Sequence, residues 1–354
     1  MITREAVLAA LGHVNDPDLN KDLVSLGMIR NVVIEGSKLA FTVVLTTPAC
    51  PMKDMIENAC RNAIRLMVTG VSELQITMSS ETRHNRSGEV LLPGVRNIIA
   101  VASGKGGVGK STVAANLALA LARSGAKTGL LDADIYGPSV PTLFGIHDAP
   151  AMIEREGRNI MVPNEKHGIK LLSIGFMAAP DQAIVWRGPM ISSAFRQFVN
   201  DVEWGELDYL IVDLPPGTGD VQLTLVQQVP LTGVIVVTTP QELAIADARR
   251  AISMFRVQGI VKPVLGIVEN MAWFTPEDMP DKKYFLFGKG GAEKLSAEFN
   301  IPVLLQVPLA ESTGRDGDAG AFHPEDPQFA HWMKLAGETA RQISMLNAQA
   351  AFAS

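Results

Sequence analysis

The stretch Gly104-Lys105-Gly106-Gly107-Val108-Gly109-Lys110-Ser111 decides the fold of this chain, because it matches the phosphate-binding pattern G-x-x-x-x-G-K-[ST]. An apolar run over 98–102 precedes it, and a helical pattern over 113–123 follows. Its glycines let backbone N–H groups turn towards phosphate oxygens. We expect 104–112 to bind ATP, with Lys110 on the β- and γ-phosphates, Ser111 on Mg²⁺, and the helix from Thr112 facing the anion. A glycine-rich turn without a nucleotide is the alternative.

The length of 354 residues predicts two domains. We expect a small α/β domain over 1–80, a polar linker over 81–94 and a larger α/β domain over 95–354. In the small domain the patterns predict helices over 6–14 and 52–67 and strands over 32–34, 39–45 and 71–78.

In the larger domain, short apolar runs alternate with helical patterns. Such runs are typical of a mostly parallel sheet covered by helices on both faces, and ligands bind such sheets at the carboxyl ends of the strands. The predicted strands are 98–102, 128–131, 171–174, 209–212, 234–238, 264–268 and 303–307. The predicted fold class is therefore α/β, a P-loop NTPase domain. A final helix over 329–346 is predicted either to dock on the domain or to lie on a membrane surface.

Composition narrows the choice of partners. The net charge of −6 argues against nucleic acid as the main partner, because phosphate contacts need clustered Lys and Arg. No apolar run of about 18 residues predicts a membrane span, and the first residues lack the apolar region of a signal peptide. Two cysteines, Cys50 and Cys60, fit a reducing cytoplasm. We expect a cytoplasmic protein with no nucleic-acid and no membrane partner.

Three aspartates follow apolar strands and can face the phosphate loop. Asp132 and Asp134 stand at i and i+2, so one can hold the water shell of Mg²⁺ while the other orients the attacking water. Asp213 ends its strand in the Walker B arrangement and is expected to hold Mg²⁺ through water. The segment 214–220 is predicted to be a γ-phosphate switch with glycine hinges. Solvated or capping carboxylates are the alternative.

Lys105, directly after the first glycine of the loop, is an unusual addition to this motif. The form K-G-G-V-G-K-[ST] resembles the deviant Walker A group, which includes the nitrogenase iron protein, MinD and ParA. The resemblance implies a homodimeric ATPase in which Lys105 reaches the nucleotide of the other subunit, Asp134 orients water and Asn270 contacts the base. Lys105, Lys110 and Asp134 are then the catalytic candidates, and Ser111, Asp132 and Asp213 the Mg²⁺ candidates. A solvated Lys105 and a capping Asn270 are the alternatives.

Five ordered segments resemble the Mrp/ApbC family of P-loop ATPases: 101–103, 132–139, 186–190, 213–220 and 268–271. The first 80 residues are similar to PaaD-like iron–sulfur assembly proteins through Asp16-Pro17-Asp18-Leu19 and Thr46-Thr47-Pro48-Ala49-Cys50-Pro51. The resemblance implies an ATP-gated carrier of iron–sulfur clusters that works with client or scaffold proteins.

One departure from that family concerns the cluster. Its members usually place C-x-x-C soon after the segment that corresponds to 268–271, whereas this chain has no cysteine beyond Cys60. Cys50, just before a predicted helix, is the possible iron–sulfur ligand, since a helix N-terminus lowers a thiol pKa. Cys60 is predicted to be core. Glu277, Asp278 and Asp281 form either a hard-metal site or a solvated acidic loop.

The leading interpretation is a Mg-ATP-dependent, ATP-hydrolysing dimeric iron–sulfur carrier or assembly factor. A MinD- or ParA-like positioning switch without direct cluster binding is the first alternative. A metabolic phosphotransferase or ligase with the same loop is the second.

Overall fold

The structure is a computed structural model that describes residues 2–82, 91–135, 137–177, 188–276 and 278–353. By their internal contacts, Met1–Asn85 and Ala340–Ser354 form one compact unit, and Arg86–Thr339 form a second. The sequence-based boundaries at 81–94 stay a prediction. The grouping of 340–354 with the first unit differs from the predicted 95–354 domain.

The first unit is a small α/β fold. Its elements are α1 (Arg4–Leu11), β1 (Asn15–Asp16), β2 (Lys21–Asp22), β3 (Ile29–Glu35), β4 (Lys38–Leu45), α2 (Lys53–Met67) and β5 (Glu73–Ser80). Strand β4 lies between β3, which is antiparallel to it, and β5, which is parallel. On α2, Ile56, Cys60 and Ile64 recur every fourth residue and are buried with Phe41 of β4. The predicted hairpin and helices of this region are confirmed.

The last helix, α10 (Phe329–Ala353), belongs to both units. Residues from Ala340 onwards join the first unit, because Arg341 Nε donates to Asp18 Oδ1 at 2.5 Å and the hydroxyls of Ser344 and Thr46 lie 2.9 Å apart. Trp332, Ala336, Ala340 and Ile343 are buried. These burials are what the docked alternative predicts for the apolar stripe. Within the described ranges, no helix is long and apolar enough to cross one.

The second unit contains an eight-stranded sheet flanked by helices. Its elements are β6 (Val95–Ser103), α3 (Lys110–Arg123), β7 (Thr128–Asp132), α4 (Val140–Phe144), β8 (Ala151–Arg155), β9 (Arg158–Val162), β10 (Asn164–Lys166), β11 (Ile169–Ser173), α5 (Gly188–Asn200), β12 (Leu207–Asp213), α6 (Asp220–Gln228), β13 (Gly233–Thr238), α7 (Glu242–Met254), β14 (Val264–Glu269), α8 (Gly291–Phe299), β15 (Val303–Gln306) and α9 (Glu311–Asp318).

The strand order is β10-β11-β7-β12-β6-β13-β14-β15, and only β10 runs antiparallel to its neighbour. All seven strands predicted for this domain are present, and the predicted P-loop NTPase architecture is confirmed. Strands β8 and β9, which form a separate hairpin, and β10 were not predicted. The side chains of β8 and most of those of β9 and β10 are exposed or half-buried, so these strands carry no buried apolar run.

The topology brings the predicted site residues to one edge of the sheet. The phosphate loop connects β6 to α3, and β6 lies between β12 and β13. Asp213 is in register with Asp132 of β7 on one side and with Val101 of β6 on the other. The carboxyl ends of β7 and β12 therefore bring their aspartates beside the phosphate loop.

Candidate functional site: a phosphate-binding cavity

A cavity of about 590 Å³ lies over the carboxyl ends of the central strands. Helices α4 and α9 form part of its wall through Thr142, Leu143, Gly317 and Asp318. The predicted site residues that line it are Lys105, Gly106, Gly107, Gly109, Lys110, Ser111, Thr112 and Asp134. The other predicted site residues do not line the cavity and lie behind its wall: Gly104, Val108, Asp132, Asp213 and Asn270.

The loop has the backbone geometry of an anion site. Gly107 and Gly109 have φ values of 79° and 82°, in the left-handed region that favours glycine. Helix α3 begins at Lys110 without a side-chain cap, so its first N–H groups face the cavity end of the helix. A Cβ on Gly104 would lie 2.1 Å from the carbonyl oxygen of Asp247, and one on Gly109 would lie 2.1 Å from Asn270 Nδ2. Glycine is therefore required at both positions.

Lys110 is the buried cation of the site. Its Nζ lies 2.5 Å from Asp213 Oδ1, 3.4 Å from Asp134 Oδ2 and 3.2 Å from Ser111 Oγ. Asp213 is fully buried; burial raises the pKa of its carboxyl, while the neighbouring Lys110 ammonium opposes that rise. Two carboxylates thus bind the Lys110 ammonium at the base of the cavity. A phosphate that enters the cavity can replace them as its partner.

The residues present fit a magnesium ion. Asp213 Oδ2 is buried without a hydrogen-bond partner, and the Ser111 hydroxyl lies 3.2 Å from Lys110 Nζ, which binds the other oxygen of the same carboxylate. Mg²⁺ prefers hard oxygen ligands and keeps several waters, so a hydroxyl beside an unpartnered carboxylate oxygen suits it. Ser111 and Asp213 are the side chains that would hold it.

Asp132 has a different position from the one expected of a Mg²⁺ ligand. Its Oδ1 accepts from the Asp134 N–H at 3.1 Å, and its Oδ2 accepts from the Val140 N–H at 3.1 Å and from Ser173 Oγ at 2.9 Å. Burial, and then the charge of Asp213, raise its pKa to about 7. The fully buried carboxyl therefore fixes the loop that carries Asp134 and does not line the cavity, and its assignment to Mg²⁺ stays a prediction.

Asn270 acts on the phosphate loop in this structure. Its Nδ2 donates to the carbonyl of Val108 at 2.9 Å, and the side chain is buried. The amide therefore clamps the loop from behind. An Asn amide has a second N–H and a carbonyl oxygen besides this bond, so the contact to a base stays a prediction.

Sequence reasoning missed two buried polar residues beside these. Ser173 orients Asp132, and Glu269 accepts from the Ala292 N–H at 2.8 Å and from Gln306 Nε2 at 2.7 Å. Both end an apolar strand. A polar residue at the carboxyl end of a predicted strand is the signal that could have identified them.

Lys105 and the switch segment lie at the open side of the cavity. The Lys105 side chain is exposed, whereas Lys110 is buried. The Gly217 N–H donates to the Ser103 carbonyl at 2.9 Å with φ of 98°, and Pro216 lines the cavity. The segment 214–220 is thereby tied to the end of β6. Residues 186–187 of the 186–190 motif lie outside the described residues.

The surroundings of Cys50 differ from the expectation. Helix α2 begins at Lys53, three residues later. Burial raises the pKa of the Cys50 thiol, the carboxylates of Asp16 and Asp18 raise it further, and a backbone hydrogen bond from Met52 opposes them. The predicted lowering of this pKa is therefore wrong. Cys60 is fully buried, as expected, and burial raises its pKa to about 11.

The acidic loop does not form a metal site in the part of the chain that is described. Asp278 and Asp281 are exposed, and Glu277 lies outside the described residues. Among the described residues, no group of three or more His, Cys, Asp or Glu is arranged to hold a metal ion. Of the two interpretations of this loop, the geometry favours solvated carboxylates.

The fold and the phosphate cavity define a P-loop nucleotide-binding protein, and comparison with known proteins gives its family. Residues 94–343 match the family described as NUBPL iron-transfer P-loop NTPase, and residues 4–76 match the iron–sulfur cluster assembly protein family. The chain therefore belongs to this family of iron-transfer P-loop NTPases, and the expected relationship to Mrp/ApbC is confirmed.

Similar proteins cover both halves of the chain. A protein of Synechocystis sp. named iron–sulfur cluster carrier protein is 48% identical over 98% of this chain and 99% of its own length. One of the same name from Deinococcus radiodurans is 48% identical over 96% of each chain. A nucleotide-binding protein from Archaeoglobus fulgidus, solved in complex with ADP, is 38% identical with a TM-score of 0.58 and covers 68% of this chain and 93% of its own.

Proposed function

We propose that this chain is a Mg-ATP-binding and ATP-hydrolysing homodimeric carrier or assembly factor for iron–sulfur clusters. The observation that carries the proposal is that Lys110, Ser111 and Asp134 line one phosphate cavity and that Asp213 binds Lys110 from behind its wall. The same chain also matches an iron–sulfur cluster assembly family over residues 4–76. The names of its relatives support the cluster role.

In the proposed reaction, Lys110 leaves its carboxylate partners and binds the β- and γ-phosphates. Ser111 and Asp213 hold Mg²⁺, which neutralises phosphate charge when bound. Asp134, fixed by Asp132 through its backbone N–H, orients the water that attacks the γ-phosphate. The switch segment 214–220 then changes its contacts with the end of β6.

The dimer part of the proposal rests on Lys105. An exposed lysine at the open side of the cavity can reach a second subunit, whereas the buried Lys110 cannot. A cation that arrives only on dimerisation would stabilise the charge of phosphoryl transfer at that moment.

The cluster part rests on Cys50. Because the C-terminal C-x-x-C is absent, Cys50 would be the main protein ligand, with further thiolates from a second subunit, a small thiol or a client. A thiol whose pKa is raised releases a metal readily, since protons compete with the metal for the thiolate. The bound cluster should accordingly be labile, which suits a carrier.

A second candidate is an ATPase switch that handles no cluster itself. The missing C-x-x-C and the absence of a metal-holding group among the described residues favour it.

Anaerobic reconstitution with iron and sulfide, followed by an absorption spectrum and an iron count, separates the two candidates. The carrier is expected to retain iron as wild type and as Cys60→Ser, which should mainly lose stability, and to lose it as Cys50→Ser. ATP hydrolysis should survive both substitutions, because neither cysteine lies in the phosphate cavity. A wild-type protein that holds no iron, alone or with an added thiol, would favour the switch.

A further inference from the structure

Two helix ends meet behind the wall of the nucleotide cavity. Gly145, with φ of 54°, caps the carboxyl end of α4, and the chain leaves α9 through Gly320 with φ of 60°. A Cβ on Gly320 would lie 2.5 Å from the backbone nitrogen of Gly145, so the two backbones are in direct contact. The carboxyl ends of helices carry partial negative charge. Several of the last carbonyls here accept backbone bonds, that of Thr142 from Gly145 and that of Gly317 from Gly320. A cation beside the contact would offset the partial charge that remains.

Lys166, at the end of β10, supplies that cation. Its Nζ donates to the carbonyl of Phe144 at 2.5 Å and lies 3.5 Å from the carbonyl of Gly320. The neighbouring His167 ring packs on Phe322 with centroids 5.2 Å apart. The turn after β10 thus holds the end of α4 and the chain that follows α9 in one place.

Helix α9 depends on this attachment. Its sequence, Glu-Ser-Thr-Gly-Arg-Asp-Gly-Asp, contains two glycines, each of which costs about 1 kcal/mol relative to alanine in a helix, and none of its residues is buried. Yet Gly317 and Asp318 line the nucleotide cavity beside Thr142 and Leu143 of α4. A weak helix therefore closes one side of the site.

We propose that Lys166 is a positioning residue that latches α9 to α4 and so limits the rate at which nucleotide leaves the cavity. The latch rests on the proposed nucleotide binding but not on the iron–sulfur role. Without the ammonium, the two negative helix ends separate, and the wall formed by Gly317 and Asp318 opens.

Stopped-flow dissociation of fluorescent mant-ADP with Mg²⁺, alongside thermal unfolding without nucleotide, tests the latch. Lys166→Met should release mant-ADP about tenfold faster, because a tenfold change in rate corresponds to the loss of one charge-assisted hydrogen bond. Lys170→Met is the matched control. Lys170 Nζ also binds two backbone carbonyls, those of Trp204 at 2.9 Å and Glu203 at 3.4 Å, but neither residue belongs to a helix that lines the nucleotide cavity. It should change the melting temperature and leave the dissociation rate unchanged.

A glycine pair gives an independent arm. Gly320→Ala should force the backbones apart and also speed release, whereas a Cβ on Gly314 of the same helix meets nothing within 4 Å, so Gly314→Ala should leave release unchanged or slower. Wild-type dissociation rates in both Lys166→Met and Gly320→Ala would overturn the latch, whatever their stability. Failure of the wild-type protein to bind mant-ADP would instead overturn the proposed nucleotide function, and the latch with it.

Discussion

Replacement of Lys110 by methionine is expected to destabilise the nucleotide-free protein and to abolish nucleotide binding. The ammonium lies 2.5 Å from Asp213 Oδ1 and 3.4 Å from Asp134 Oδ2, and all three side chains are buried. Removal of one partner from a buried ion pair costs about 3–5 kcal/mol, against about 0–1 kcal/mol for an exposed pair. Because two carboxylates lose their cation, we expect the free energy of unfolding to fall by about 4 kcal/mol.

The loss of stability in Lys110→Met should increase with pH. Burial raises the pKa of Asp213 and Lys110 opposes that rise, so the pKa should rise further in the variant. A carboxyl whose pKa is higher in the folded state contributes stability at low pH that is lost as the pH rises through that pKa. The difference in free energy of unfolding between the wild-type protein and the variant should therefore be smaller at about pH 5.5 than at about pH 8.

Urea unfolding without nucleotide, followed by tryptophan fluorescence, measures both effects, since Trp204 and Trp332 are buried in the folded protein. The double variant Lys110→Met/Asp213→Asn should recover part of the loss, because it removes a stranded charge. Lys170→Met, which breaks only bonds to carbonyls, should cost less. A loss under about 1 kcal/mol at about pH 8, or a gap that widens as the pH falls, would refute the ion-pair reasoning.

Three further predictions concern the proposed function. Asp134→Ala should retain ATP binding in calorimetry but hydrolyse ATP about a hundredfold more slowly or worse, because a water-orienting group acts mainly in the transition state; normal turnover would mean that another residue positions the water. Lys105→Ala should also lose hydrolysis, and mixing it with Asp134→Ala should restore activity through dimers with one complete site. No recovery in verified heterodimers would show that Lys105 acts within its own subunit. Iron retained after reconstitution should increase with pH around neutrality, because the raised pKa of Cys50 leaves its thiol protonated there; retention independent of pH would contradict Cys50 as the ligand.

The sequence predicted the elements that are marked by a pattern of neighbouring residues. Seven of the eight strands of the large sheet could be predicted because each is a continuous apolar run. Gly104, Gly109 and Lys110 could be predicted because their spacing defines the phosphate loop. The β8–β9 hairpin was missed because its strands are largely exposed and therefore lack that run.

The contacts that the sequence did not predict join residues far apart in the chain. Whether Asp132 faces a ligand or the protein depends on Val140 and Ser173, which only the fold brings to it. Asn270 clamps a loop 162 residues earlier in the chain. The pKa of Cys50 follows mainly its burial, which outweighs the lowering by the backbone hydrogen bond from Met52 at the start of the next helix.

The most direct test of the account is cluster transfer from the reconstituted protein to a four-iron apo-ferredoxin under anaerobic conditions, with and without Mg-ATP. We predict that Mg-ATP changes the transfer rate of the wild-type protein, that Lys110→Met transfers at one rate with or without ATP, and that Cys50→Ser transfers nothing. Transfer by the wild-type protein at the same rate in both conditions would contradict the proposed coupling of the phosphate site to cluster delivery.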